Sequence, residues 1–180
     1  MASIDSYFFL NPRRALGLAG FLFFLGAASG VQAGLFSDPD PNWAEGVVSY
    51  PEPPAESSLR QFFVSAASSN RFYLDERTLT VGDDGVIRYV LIVRTPGGAE
   101  NVSFEGIRCA TGERRIYALG RADGEWAPAR RSEWEPIIDN AYNRPRAALA
   151  FDYFCDGPAP PRSAAEALRL LRQDRRRVTP

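Results

Sequence analysis

The sequence predicts an α+β, mainly β fold: an antiparallel β meander with a C-terminal amphipathic helix and one disulfide. Three observations predict it. Short runs rich in β-branched and aromatic residues recur between Gly-, Asp- and Pro-containing turns from residue 59 to residue 121. No helical apolar period is interleaved with them, as a parallel βαβ fold would require. The one clear helix-capping signature outside the N-terminal segment comes late, where Ser163 is followed three residues on by Glu166.

The chain opens on a segment that reads as a targeting signal. Arg13 and Arg14 precede residues 15–30, which carry no charge, and Val31-Gln32-Ala33 has the small or modest side chains of a cleavage site. An uncleaved anchor is the competing reading, because residues 15–33 just suffice to span a bilayer. The Gly- and Ala-rich second half and the cleavage triplet favour removal between Ala33 and Gly34. The expected organisation is residues 1–33 as signal peptide, 34–58 as a Pro-rich acidic lead-in, 59–157 as the β domain and 158–180 as a helix with an Arg-rich tail. A periplasmic or secreted mature protein is expected.

In the lead-in, Trp43 and the run Val47-Val48-Ser49-Tyr50 are expected to dock on the body. Residues 59–68 and 71–75 read as strands, followed by 78–81, 86–95, 101–109 and 114–121. The centre is the hairpin of 86–95 with 101–109, closed at Pro96-Gly97-Gly98 and preceded by the turn Gly82-Asp83-Asp84-Gly85. On its first strand Ile87, Tyr89, Leu91 and Val93 form an apolar side. Arg88, Val90, Ile92 and Arg94 form a mixed side suited to solvent or a charged neighbour. Residues 128–147 read as a loop with a turn or two of helix, and 148–155 (ALAFDYFC) as a further strand. The helix is expected over 163–177, with Ala164, Ala167, Leu168 and Leu171 on one face and Arg169, Arg172 and Arg176 elsewhere.

Composition removes several chemistries. A chain of 180 residues at 45% hydrophobic holds one core. It has no His and no Lys, so all 21 basic residues are Arg. Without His there is no Ser-His-Asp or Cys-His nucleophilic pair and no imidazole metal site. Two Cys cannot build a four-thiolate zinc centre. No catalytic residue, metal or cofactor is therefore assigned. A net charge of −1 argues against nucleic acid as partner. An exported chain allows Cys109 and Cys155 to pair, and their wide spacing favours a structural bridge over a redox C-x-x-C site.

The stretch from Asn70 to Trp126, with the later AFDYFCDG, resembles the cryptic neisserial protein (CNP-like) family of proteobacterial envelope proteins. The likeness covers residues 43–157. It rests on Asp84-Gly85-Val86 with Arg88-Tyr89, on the run Asn101-Val102-Ser103-Phe104-Glu105-Gly106-Ile107-Arg108-Cys109, on Tyr117-Ala118 and on Phe154-Cys155. The resemblance implies a secreted or periplasmic domain and carries no catalytic residue over. The C-terminal helix and tail lie outside it.

Arg88, Glu105 and Arg108, on neighbouring predicted strands, are the candidate ligand-binding constellation. Guanidinium forks suit a carboxylate or phosphate, so an envelope protein or anionic envelope component is the partner class considered. The bland alternative is a cross-strand ion pair on a sheet surface. Glu105 and Arg108 are an odd number of positions apart and face opposite sides unless a bulge at Gly106 shifts the register. The late aromatics Trp126, Trp134, Tyr142, Tyr153 and Phe154 are expected to close a core. Asn101-Val102-Ser103 matches a glycosylation acceptor but falls inside a predicted strand. The sequence thus points to a non-catalytic binding or envelope-structural module. The alternative is a hydrolase pairing Glu105 with Asp84 or Asp152.

Overall fold

The computed structural model describes residues 40–173. The expected signal peptide, the first lead-in residues and the end of the Arg-rich tail lie outside them. Eight strands in the described residues form one antiparallel sheet. They are β1 (Leu59–Phe62), β2 (Arg71–Asp75), β3 (Thr80–Val81), β4 (Val86–Arg94), β5 (Glu100–Arg108), β6 (Glu113–Gly120), β7 (Trp126–Pro128) and β8 (Glu135–Pro136). The spatial order is β1-β2-β4-β5-β6-β7. β2 and β3 lie against successive halves of β4, and β7 and β8 against successive halves of β6. The three long central strands are thereby flanked on both sides by split, shorter ones.

β4 and β5 pair as the turn chemistry predicts, from Val86 opposite Arg108 to Arg94 opposite Glu100. Gly98, at φ 84°, supplies the left-handed residue that closes their turn. Residues of opposite parity face opposite sides, and both sides are covered. Ile87, Tyr89 and Leu91 join Ile107 and Cys109 in the larger cluster, with Leu149, Tyr153 and Phe154. Val90 and Ile92 join Phe104 and Tyr117 in a smaller cluster that Val48, Leu59 and Trp126 pack against. Each of these buried aliphatic side chains contributes about 1.5–3 kcal/mol. The mixed face of β4 is therefore not a solvent face: the lead-in crosses it.

Two strand expectations are corrected. Residues 148–155 are not a strand. The chain forms α1 (Arg144–Ala147), which continues directly into a wider π-helical segment (Ala148–Phe154). Pro145 sits in the first turn, where its missing N–H costs nothing. The run ALAFDYF is short and apolar, so helix and strand could not be separated by period alone. Burial of Leu149, Tyr153 and Phe154 against the sheet decides for the helix. The strand expected over 59–68 stops at Phe62. Beyond it the Tyr153 hydroxyl donates to the Phe63 carbonyl at 3.1 Å and accepts from the Phe63 N–H at 3.2 Å, replacing ladder partners by a side chain.

The second helix, α2 (Ala164–Arg172), starts where the capping signature put it. The Ser163 hydroxyl accepts from the Glu166 N–H at 3.2 Å. The Glu166 carboxylate reaches back one residue further than the usual box, accepting from the Arg162 N–H at 2.8 Å. The Arg162 side chain and N–H hold the Glu166 carboxyl down to about 2. α2 buries Ala167, Leu170 and Leu171. Cys109 and Cys155 form a disulfide across 46 residues of sequence, joining the end of β5 to the end of the helical segment. Its restraint on the unfolded chain is worth at most roughly 4 kcal/mol.

Candidate functional site

The three candidate ligand residues do not converge. Tyr89 stands opposite Glu105 and Arg88 opposite Gly106 in an unbroken β4–β5 register. Arg88 and Arg108 consequently share one face, and Glu105 points to the other. The bulge at Gly106 that would have brought them to one face is absent. The register break lies on β6: Phe104 pairs with Ala118 and Glu105 with Ile116, leaving Tyr117 as the extra residue. Gly106 serves that bulge at a distance, because a Cβ there would stand 2.5 Å from the Tyr117 hydroxyl oxygen.

On the Arg88 face the organising group is Glu45, from the lead-in. Its Oε1 accepts from the Tyr117 hydroxyl at 2.5 Å and from Arg88 Nη2 at 3.3 Å. Its Oε2 accepts from Trp134 Nε1 at 3.2 Å and from Arg115 Nη1. Four donors from β4, β6 and the loop after β7 thus meet on one carboxylate. Asp84 accepts from the same Arg88 Nη2 at 2.5 Å and from Nη1 at 3.2 Å, and it accepts from the Gly46 N–H at 2.7 Å. Burial pushes the Asp84 carboxyl up, but hydrogen bonds from Arg88, Gly46 and Val86 outweigh it and hold the group below its ordinary value. Trp43 donates its indole N–H to the Asp84 carbonyl at 2.9 Å. The Arg108 guanidinium stacks 3.7 Å over the Trp43 ring and sits 3.8 Å from Glu113.

The opposite face carries Glu105, fully buried. Arg146 from α1 grips it through Nη2 at 2.5 Å and Nε at 2.9 Å. The Ser103 and Tyr89 hydroxyls donate to it at 2.6 and 3.3 Å. Burial, then the adjacent Glu105, raise the Tyr89 phenol well above its ordinary value. Glu105 and Asp84 therefore lie on opposite faces, each held by its own arginine, and do not flank a common cleft. Asp152, the other acid considered, sits half-buried on the helical segment.

Beside the Glu105–Arg146 pair a cleft of about 780 Å³ opens between the sheet and α1. Phe72, Val93, Ile116 and Leu119 give it an apolar floor. Asn70, Asn101, Ser65 and Ser68 supply neutral polar groups around it. Its charged wall residues already have partners: Arg146 with Glu105, Arg144 with Asp139 and Glu100 with Arg94. Tyr142, expected in the core, is instead exposed at this cleft, between Arg146 and Arg114. Trp134 packs edge-on against Trp43, and Trp126 lies tilted against Phe104.

Sequence reasoning singled out Arg88, Glu105 and Arg108 as one constellation and missed Glu45, Arg115, Tyr117, Trp134 and Arg146. The faint signal was Glu45 itself, an acid between Trp43 and the Val47-Val48 run that was expected to dock. A disulfide-tied antiparallel β domain whose own lead-in crosses one sheet face defines the class. The chain belongs to the CNP1-like family, whose model matches residues 38–172. It is similar to Cryptic neisserial protein 1 of Neisseria gonorrhoeae (strain ATCC 700825 / FA 1090), 28% identical over 102 residues that cover 50% of each chain. This chain thus spans about half the length of that relative. No solved structure matches.

Proposed function

We propose that this chain is an exported, non-catalytic binding module of the cell envelope that takes an uncharged amphipathic ligand in the cleft beside α1. The carrying observation is the cleft's chemistry: an apolar floor, neutral hydroxyls and amides around it, and charged wall residues that already have ion-pair partners. Its volume suits a small molecule or a short uncharged segment of a larger one. A free anion finds no spare cation there, because transferring Arg146 to it would strand Glu105 in the core. The disulfide supports an oxidising compartment, in keeping with the charge-free run and cleavage triplet of the N-terminal segment.

The test is native mass spectrometry of the full chain recovered from envelope under non-denaturing conditions, beside its Leu119→Arg variant. Leu119 is half-exposed on the cleft floor, so the variant is expected to fold normally. A co-purifying uncharged species should fall about tenfold or more in the variant, a loss of about 1.4 kcal/mol in binding. Equal recovery by both proteins sinks the cleft reading.

A further inference from the structure

Glu45 is held differently from the other carboxylates of the sheet. Its four donors belong to the folded body, whereas Glu45 belongs to a segment with no strand pairing, whose neighbours Ala44, Gly46 and Val47 are exposed. Two open clefts lie along that segment. A cavity of about 530 Å³ runs along Val47, Ser49, Pro51, Arg88 and Phe104. Another, of about 300 Å³, is lined by Val48, Tyr50, Arg115, Tyr117 and Ser132. Arg88 therefore borders one space, and Arg115 and Tyr117 border the other.

The charge count is informative. Arg88 and Arg115 bring two positive charges and Asp84 removes one, which leaves a single positive charge for Glu45 to neutralise. Tyr117 and Trp134 add two neutral donors, one to each carboxylate oxygen. Burial, then the neighbouring Glu45, raise the Tyr117 phenol far above its ordinary value, so it remains a donor. One net charge and donors placed on two oxygens match a monoanionic carboxylate rather than a phosphate dianion.

We propose that Arg88, Arg115, Tyr117 and Trp134 form a carboxylate-binding cup, filled in this structure by the chain's own Glu45 and open to a carboxylate supplied from outside once the lead-in lifts. The incoming carboxylate is either that of a small organic acid or that of an acidic segment of another chain. The adjoining cavities provide room for the rest of the molecule that bears it. This cup lies on the opposite face of the sheet from the cleft beside α1, so either assignment can fail without the other.

The experiment empties the cup in the full chain with Glu45→Ala and asks whether added carboxylate refills it. Sodium acetate is expected to restore most of the melting temperature lost by the variant, saturating in the millimolar range. Sodium chloride at the same ionic strength should not. A synthetic peptide of residues 42–50 separates the two sources. Restoration at concentrations about tenfold or more below acetate assigns the cup to an acidic segment, and equal potency assigns it to small carboxylates. The acetate effect should disappear when Arg115→Met is added. Should Glu45→Ala fail to fold, Glu45→Gln leaves an uncharged amide in the cup, and acetate is expected to displace it and restore part of the melting temperature lost. No restoration by acetate or peptide, in whichever variant folds, overturns the proposal.

Discussion

Glu105 and Glu45 stand on opposite faces of one sheet, and each carboxylate collects arginine and hydroxyl donors. Glu105 accepts from Arg146, Ser103 and Tyr89. Glu45 accepts from Arg88, Arg115, Tyr117 and Trp134. The difference lies in what carries the acid. Glu105 grows from the middle of β5, fully buried, and its arginine comes from a helix packed over the core. Glu45 rides on a segment outside the sheet, with its side chain 13% exposed and solvent cavities beside it. The same chemistry is thus inseparable from the fold in one place and a closure in the other. Burial, not donor number, sets what breaking each group costs.

The sharpest way to break that comparison is Arg146→Leu, which leaves Glu105 charged and unpaired in the core. It is expected to cost about 3–5 kcal/mol in urea unfolding. Glu45→Gln, which leaves its donors near water, is expected to cost about 1–3 kcal/mol. A larger loss from Glu45→Gln than from Arg146→Leu would reverse the assignment of core and closure.

Next in size is the bridge that ties β5 to the helical segment on the Glu105 face. Cys109→Ser should lower stability by up to about 4 kcal/mol. Thiol labelling of the unfolded, unreduced wild type should find neither Cys109 nor Cys155 reactive. Reactive thiols in protein taken directly from cells would contradict the pairing.

Gly106→Val probes the other face, since any Cβ there meets Tyr117, one of the donors to Glu45. Overpacking of this kind is expected to cost about 1–3 kcal/mol. Part of the loss should return when Tyr117→Phe removes the hydroxyl, making the double variant less damaged than the two singles added together. Strict additivity would show that Tyr117 does not fill the space above Gly106.

The smallest effect concerns pH. Asp84 is depressed in the folded chain, so its contribution is present at neutral pH and is lost as pH falls from its ordinary value through the lower folded one. The stability gap between wild type and Asp84→Asn should shrink below about pH 4. A gap that stays constant to about pH 2 would mean that the carboxylate does not tie the lead-in down.

Much of the architecture was legible in residues. The β4–β5 hairpin followed from β-branched alternation and the Pro96-Gly97-Gly98 turn, and α2 from Ser163 and Glu166. The odd separation of Glu105 and Arg108 already placed them on opposite faces, as they are. The helical segment Ala148–Phe154 was not legible, since a short apolar run suits helix and strand alike. Nor was the bulge at Tyr117: no glycine marks it, and it became visible only once β5 and β6 were paired.

By itself the sequence determined the β4–β5 hairpin, the start of α2 and the alternation of faces along each strand, because these depend on neighbours a few positions apart, and its composition excluded imidazole chemistry. Only the tertiary structure decided which arginine serves which carboxylate. Glu45 lies 70 residues from Arg115, and Glu105 lies 41 from Arg146. Over such separations the chain carries no local record of contact. Each pairing is settled when a particular face is dehydrated and every charge brought there must find a partner.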